Sequence, residues 1–496
     1  MMRTAADGIV PILAVDRGAA LPLHRQIGAG YRRAIAQGML APGQRVPSSR
    51  ALAAELSVSR IPVLGAYAEL ITEGYFESRA GAGTFVSGSL PQPPRPGQGR
   101  QRGRGGAGRR PVGVRAAQAP ARAIHPWMGG WGAFAPHQPA LEGFPFQVWS
   151  SLAARHSRNP RAALLHRLDP LGAERLRQAV CGYLRTARSV RCEPEQILIV
   201  GGSQQALDLC ARALCDAGTP VWVEEPGYWL ARNAFGNAGA RLVPVPVDGE
   251  GLEVAAGVRA CPQARVAHVT PSHQFPLGMT MSPARRLELL DWAQRAGAWI
   301  VEDDYDSEFR FESAPVGSLQ GLDQNERVIY VGTLSKVMFP SLRLGYMVVP
   351  RDLVKPFAAL RWAADLGPSY LGQEMLADFL GEGHLGRHIR RMRALYRGRR
   401  SRLAAELAEQ LGTGLEIQGA EAGLHLTATW RGGARDREVA TRAAGAGLWL
   451  WPLSPCYLGR AARQGFILGY GSTATAAIPQ AVGQLRKVLG PRIAGG

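Results

Sequence analysis

Residues 91–123 read PQPPRPGQGRQRGRGGAGRRPVGVRAAQAPARA, and this stretch constrains the fold more than any other. It carries Arg95, Arg100, Arg102, Arg104, Arg109, Arg110, Arg115 and Arg122 and no acid. Such a segment buries too little apolar surface to offset the entropy of ordering it. It therefore divides the chain into two pieces that fold separately. We expect a small domain over 12–88, a linker over 89–125 and a large domain over 126–496. Like charges keep the linker partly extended. It is either a plain tether or one that also touches nucleic-acid phosphates.

Over the whole chain Lys+Arg is 58 and Asp+Glu is 39, a formal net charge of +19. That excess predicts a polyanionic partner, nucleic acid before a membrane surface. No apolar run approaches the ~20 residues a membrane-spanning helix needs. The first 25 residues hold no continuous apolar region of the secretory kind. The 6 cysteines form no C-x-x-C pair, and no His/Cys spacing resembles a zinc site. These features predict reduced thiols, a cytoplasmic location and neither a metal nor a membrane partner.

In the small piece, Ile27, Tyr31, Ala34 and Ile35 recur at helical spacing between Leu23 and a stop at Gly38. Pro42-Gly43 turns the chain, and Ser48 and Ser49 are caps for a second helix over 50–56. After Ser57-Val58, Ser59 starts a third helix, with Val63, Tyr67, Leu70 and Ile71 on its inner face and Gly74 at its end. YFESRAGAGTFV, residues 75–86, reads as a hairpin around a Gly-containing loop. This order is a winged helix-turn-helix, whose second paired helix enters the major groove. Ser59 and Arg60 stand at that helix's N-terminus, where base edges are read. Arg45, Ser48, Ser49 and Arg50 suit phosphate contacts. Arg79, Gly83 and Thr84 lie on the wing. The whole piece resembles the GntR-type winged helix. Pro62, where that family usually has Thr, and Ser57, where it usually has Gly, are departures.

The large piece alternates short β-branched runs with helical stretches. Runs at 196–200 (QILIV), 221–224 (VWVE), 265–269 (RVAHV), 299–301 (WIV) and 328–331 (VIYV) predict strands, and Pro283–Ala296 predicts a helix. That alternation predicts βαβ units and a mostly parallel sheet. Four of these strands are followed by polar constellations. Gly201-Gly202-Ser203-Gln204-Gln205 joins a strand to a helix N-terminus, an anion site. Glu302-Asp303-Asp304-Tyr305-Asp306 puts carboxylates at a strand's carboxyl end, where α/β sheets place ligands. Gly332-Thr333-Leu334-Ser335-Lys336, with Arg343 downstream, offers an amine beside groups that hold phosphate. Pyridoxal 5′-phosphate needs such a set: an amine, an acid for its ring nitrogen and an anion cradle. In TPSHQFPLG, residues 270–278, His273 is either a satisfied loop histidine or a ligand of the cofactor.

This order resembles the fold-type I, class I aminotransferase domain. The resemblance implies that Lys336 forms the Schiff base and is the catalytic residue, that Asp303 pairs with the pyridine nitrogen and that Tyr305 bonds the phenolic oxygen. It gives phosphate to Ser203, Gln204, Thr333, Ser335 and Arg343, and places Tyr228 near the ring. Arg460 or Arg463 is implied for a substrate carboxylate. Arg167 stands where the family usually has a Tyr that reaches the partner subunit's phosphate.

A GntR-type reader, a linker and an aminotransferase-like domain resemble the MocR/GabR-type regulators. The resemblance implies an α/β fold with a small winged helix-turn-helix and a homodimer on double-stranded DNA. It implies a pyridoxal-phosphate-dependent transcriptional regulator. A small amine, an amino acid or the cofactor itself would act as effector through aldimine chemistry at Lys336, without physiological turnover. The alternative is an active class I aminotransferase carrying a DNA-binding domain.

Overall fold

The computed structural model describes residues 15–89, 113, 125–158, 168–311, 317–419, 421–430 and 435–490. It also gives the backbone of a short antiparallel pair, β1 (Arg3–Ala5) with β2 (Gly8–Val10). The chain separates into two compact units, 1–111 and 112–496. The arginine-rich run, except Gly113, and Arg167 lie outside the described residues.

In the first unit, α1 (Leu23–Ala36) buries Ile27, Tyr31, Ala34 and Ile35, the stripe its spacing predicts. Ser48, not Ser49, caps α2 (Ser49–Glu55), accepting from the Ala51 amide at 3.2 Å. Helix α3 (Arg60–Thr72) buries Val63, Ala66, Tyr67 and Leu70. Ile71, expected in the core, is 41% exposed, because the buried stripe ends on its neighbour. Pro62 is the third residue of α3, where the missing N–H would have no intrahelical partner. Strands β3 (Phe76–Arg79) and β4 (Gly83–Val86) pair as the expected hairpin. Tyr31, Tyr67 and Phe76 meet edge to face at 5.1–5.9 Å and tie α1, α3 and β3 into one core. Between α2 and α3, Ser57 holds φ 53°, a left-handed conformation that favours glycine. The Arg17 guanidinium donates to the Ser57 carbonyl.

In the second unit, eight strands form one sheet: β5 (Ile197–Val200), β6 (Pro220–Glu225), β7 (Arg241–Asp248), β8 (Gly251–Leu252), β9 (Val266–Val269), β10 (Trp299–Asp304), β11 (Val328–Thr333) and β12 (Gly345–Val348). Their order is β5-β12-β11-β10-β9-β6-β7-β8. β12 and the short β8 run antiparallel to their neighbours, and the other pairings are parallel. The central strands are buried throughout, which explains their continuous apolar sequences.

A second sheet, β13 (Glu416–Gln418), β14 (His425–Trp430), β15 (Trp451–Pro452) and β16 (Gln464–Gly469), is antiparallel in the order β13-β14-β16-β15. The strand–helix alternation does not foretell it. The buried Arg286 donates to the carbonyls of Pro271 and Met281, at 3.0 and 3.1 Å, and so holds both ends of the loop that follows β9. The described cysteines form no disulfide.

Candidate functional site

The carboxyl ends of β5, β9, β10 and β11 open onto a cavity of about 200 Å³. It is lined by Ser203, Gln204, Tyr228, Asp303, Tyr305, Thr333, Ser335, Lys336 and Arg343, every expected cofactor residue except His273. Their spacing along the chain is wide, but each stands just past a strand end or at a helix start, so sheet register sets them side by side.

The anion side is built around Gly202, which has φ 111° and leads into α4 (Ser203–Leu214). A Cβ at Gly202 would lie 3.3 Å from Nη1 of Arg343, so the guanidinium rests against the backbone beside the N-terminus of α4. This places fixed positive potential and a mobile charge on one spot. The Thr333 hydroxyl accepts from the Ser335 amide at 3.2 Å, shaping the turn before Lys336.

Asp303 is 3% exposed. Its Oδ1 has no hydrogen-bond partner, and Oδ2 lies 3.6 Å from Nε2 of His268. An unsatisfied buried carboxylate oxygen at a cavity wall calls for a cationic N–H. Burial pushes the Lys336 amine down to about 8, against the opposing pull of Asp306 and Asp303. Its Nζ donates to the His137 carbonyl at 3.3 Å. Burial drives the His137 imidazole far below its ordinary range, so it is neutral. An amine, an orphaned acid and an anion cradle in one cavity fit pyridoxal phosphate.

Two expectations need correction. His273 does not line the cavity. It is 2% exposed, and Asp306 and the Tyr305 hydroxyl hold its Nδ1 from behind the cavity wall. Arg460 and Arg463 are both exposed and do not line the cavity. Arg463 instead borders a separate cleft with Glu225, Gly278 and Tyr457. Ile467, within β16, belongs to one buried cluster with Phe275 and Tyr305.

Sequence reasoning missed His137, Leu230, Thr270, Phe275 and Pro340 as lining residues. Thr270 and Phe275 sit in the motif that pointed to His273. Thr270 is fixed by its hydroxyl, which donates to Glu224 at 2.7 Å. His137 precedes Lys336 by 199 residues and carries no local signal.

In the first unit, Arg45, Ser48, Arg50, Ser59, Arg60 and Arg79 are exposed, and Ser49, Gly83 and Thr84 partly so. Ser59 occupies the N-cap position of α3 without a side-chain cap bond. Arg60 Nε donates to the Ser49 hydroxyl at 2.9 Å, linking the two helix starts. The Arg79 guanidinium lies 4.6 Å from the Phe85 ring centre. A Cβ at Gly83 would lie 3.1 Å from Nε of Arg45, so the wing crosses close over that arginine.

The comparisons with known proteins agree with both units. The bacterial regulatory protein gntR family profile matches residues 23–86. The aminotransferase class I and II profile matches residues 142–456. The chain is 41% identical, over 96% of both chains, to a probable rhizopine catabolism regulatory protein MocR of Rhizobium meliloti. It is 32% identical to the pyridoxine biosynthesis transcriptional regulator PdxR of Corynebacterium glutamicum, over 90% of this chain and 91% of the relative. Among solved structures, the α-aminoadipate aminotransferase LysN of Thermus thermophilus, complexed with N-(5′-phosphopyridoxyl)-L-leucine, superposes with a TM-score of 0.70 at 28% identity. That match covers 76% of this chain and 97% of LysN. The chain therefore belongs to the MocR-type regulators of the GntR family, as a DNA-binding transcriptional regulator whose aminotransferase-class domain depends on pyridoxal phosphate.

Proposed function

We propose that this regulator reads the chemical state of its cavity and reports it to DNA as a homodimer in the cytoplasm. The effector is a small amine, an amino acid or the cofactor itself. When bound, pyridoxal phosphate supplies an electrophilic aldehyde carbon and an electron-withdrawing ring. Lys336 is the amine that bonds to it. At a pKa of about 8, roughly a quarter of Lys336 is neutral at pH 7.5, against about 0.1% for an ordinary lysine. Asp303 would take the ring nitrogen on its unpartnered Oδ1. Tyr305 would donate to the ring's phenolic oxygen, with Tyr228 near the ring, and Ser203, Gln204, Thr333, Ser335 and Arg343 would hold the phosphate. An effector amine would enter the same cavity as Lys336 and would shift the conformational equilibrium only by its differential affinity for the two states.

On DNA, Arg60 and Ser59 read base edges, while Arg45, Ser48, Ser49, Arg50, Arg79, Gly83 and Thr84 set the protein on the backbone. The domain limits 12–88, 89–125 and 126–496 belong to the same reading.

The observation that carries this reading is that Lys336 lines one cavity with Asp303, whose Oδ1 is unpartnered, and the Arg343 cradle. Borohydride treatment of the cofactor-loaded protein, followed by peptide mass analysis, tests it. The label is expected on Lys336 and absent in Lys336→Ala. Label on another lysine in that variant sinks the assignment. Turnover is tested separately: sustained oxo-acid formation from an amino donor and an oxo-acid acceptor would favour the working aminotransferase.

A further inference from the structure

Three segments that lie far apart in the chain meet behind the Tyr305 ring. The Tyr305 hydroxyl lies 3.0 Å from Nδ1 of His273. The same Nδ1 lies 3.0 Å from Oδ1 and 3.3 Å from Oδ2 of Asp306. Asp306 Oδ2 also accepts the Leu424 amide at 3.1 Å, just before β14 of the small sheet. His273 and Asp306 are 2% and 1% exposed. The packing is close: a Cβ at Gly423, which has φ 79°, would fall 2.1 Å from Cε1 of His273 and 2.5 Å from Oδ2 of Asp306.

One arrangement of donors and acceptors in this cluster lets the tyrosine proton reach the cavity. In it the Asp306 carboxylate accepts and the Nδ1 that faces it carries the proton. That Nδ1–H cannot take the tyrosine proton. It approaches the phenolic oxygen as a donor and leaves the hydroxyl's own proton free to turn toward the cavity.

We propose that His273 and Asp306 are a positioning pair for Tyr305, holding its oxygen from behind so that its proton points into the cavity. Asp306 is in turn pinned by the small sheet, so the direction of one hydroxyl proton depends on the seam between the two sheets. This rests on the reading of the cavity as the cofactor site. The other charged or titratable groups around the pair are Asp303, Asp304 and Glu224 on the acidic side. Lys336, His137, His425, Arg310 and Tyr470 complete the surround. They remain in place in every variant below.

The experiment uses the full-length, cofactor-loaded protein and follows its visible absorbance band as a function of pH. A proton donated to the cofactor's ring oxygen stabilises negative charge there and makes a neighbouring proton easier to lose. A hydroxyl that is no longer held donates less, so the apparent pKa of the band rises. His273→Leu is expected to raise it by about one unit, and Asp306→Asn to move it the same way. His273→Asn keeps a donor at the Nδ1 position and is expected to restore most of the wild-type value. In a Tyr305→Phe background, His273→Leu is expected to add nothing, the non-additivity expected of groups acting through one another.

A His273→Leu protein that loads cofactor and titrates like wild type overturns the proposal, as does a full shift that persists without the tyrosine hydroxyl. His273, Asp306 and His425 also offer ligand atoms within 4.8 Å of one another. A wild-type titration that changes with added zinc or with chelator would make the cluster a cation site and equally overturn the pair. Should the wild-type protein show no cofactor band at all, the cofactor reading fails. A normal band that is indifferent to the substitutions defeats the positioning pair alone.

Discussion

The arginines proposed to face DNA and the acid of the proposed cofactor cavity stand in opposite settings. In the small unit, Arg45, Arg50, Arg60 and Arg79 stand in water. Arg60 is steadied by one serine and Arg79 by Glu77. In the large unit, Asp303 is stripped of water and one of its oxygens is unsatisfied. Exposed charges act additively, and each contributes little because solvent screens it. A buried charge whose free oxygen meets a ligand cation decides whether that ligand stays. Recognition on the surface is therefore spread over many groups, and recognition in the cavity is concentrated in a few.

Substitutions at the two regions test that contrast, and Asp303 should show the largest effect. Asp303→Ala removes the one acid placed for a ring cation. It is expected to weaken cofactor binding by about 100-fold or more, read by equilibrium dialysis. A loss below tenfold would put Asp303 on a par with a surface charge and break the comparison. Next comes Arg343→Ala, which is exposed along the cavity and acts through charge-assisted hydrogen bonds. A loss of about 10–100-fold for pyridoxal phosphate, with phosphate-free pyridoxal unaffected, is the expected pattern.

The pH dependence sharpens the same point. Deprotonated Lys336 is the reactive form and its pKa is lowered to about 8. The rate of cofactor capture should climb about tenfold per pH unit below that value and level off above it. A climb that continues past pH 10 would return Lys336 to an ordinary, solvated lysine.

On the surface side, Arg60→Ala is expected to cost about 1–3 kcal/mol on the specific operator. Arg50→Ala should weaken specific and random DNA alike. Equal losses for both variants on both DNAs would erase the division between base reading and backbone contact. The smallest effect belongs to Ser48→Ala, which removes the α2 cap and should lower the stability of the small unit by about 1 kcal/mol in thermal melts.

The two regions also differ in how legible they were in the sequence. The winged helix is written in consecutive elements, each with its own stop and apolar stripe. Ile71, one residue beyond the buried stripe, and the capping roles of Ser49 and Ser59 were misplaced. The cavity was legible where a strand end announces itself, as in the segments that hold Ser203, Asp303 and Lys336. It was not legible where residues arrive from afar. His137 comes from a segment ahead of the sheet and carries no motif of its own. His273 looked like a ligand because its neighbours are polar, but the acid that turns its ring away lies 33 residues on. Arg460 and Arg463 came from the resemblance to class I aminotransferases, whereas β16 brings Ile467 to the Phe275–Tyr305 cluster. Charge is visible in a sequence; the direction in which a loop carries it is not.

The bend at Ser57 has a practical consequence. A serine there keeps a backbone shape that costs of order 1 kcal/mol for a residue with a side chain, and the nearby Arg17 steadies its carbonyl. The joint between α2 and α3 is thus slightly tensed at rest. Exchanging that one residue for glycine would relax it without altering any group assigned to DNA, so the heat tolerance of the reader can be adjusted independently of what it reads.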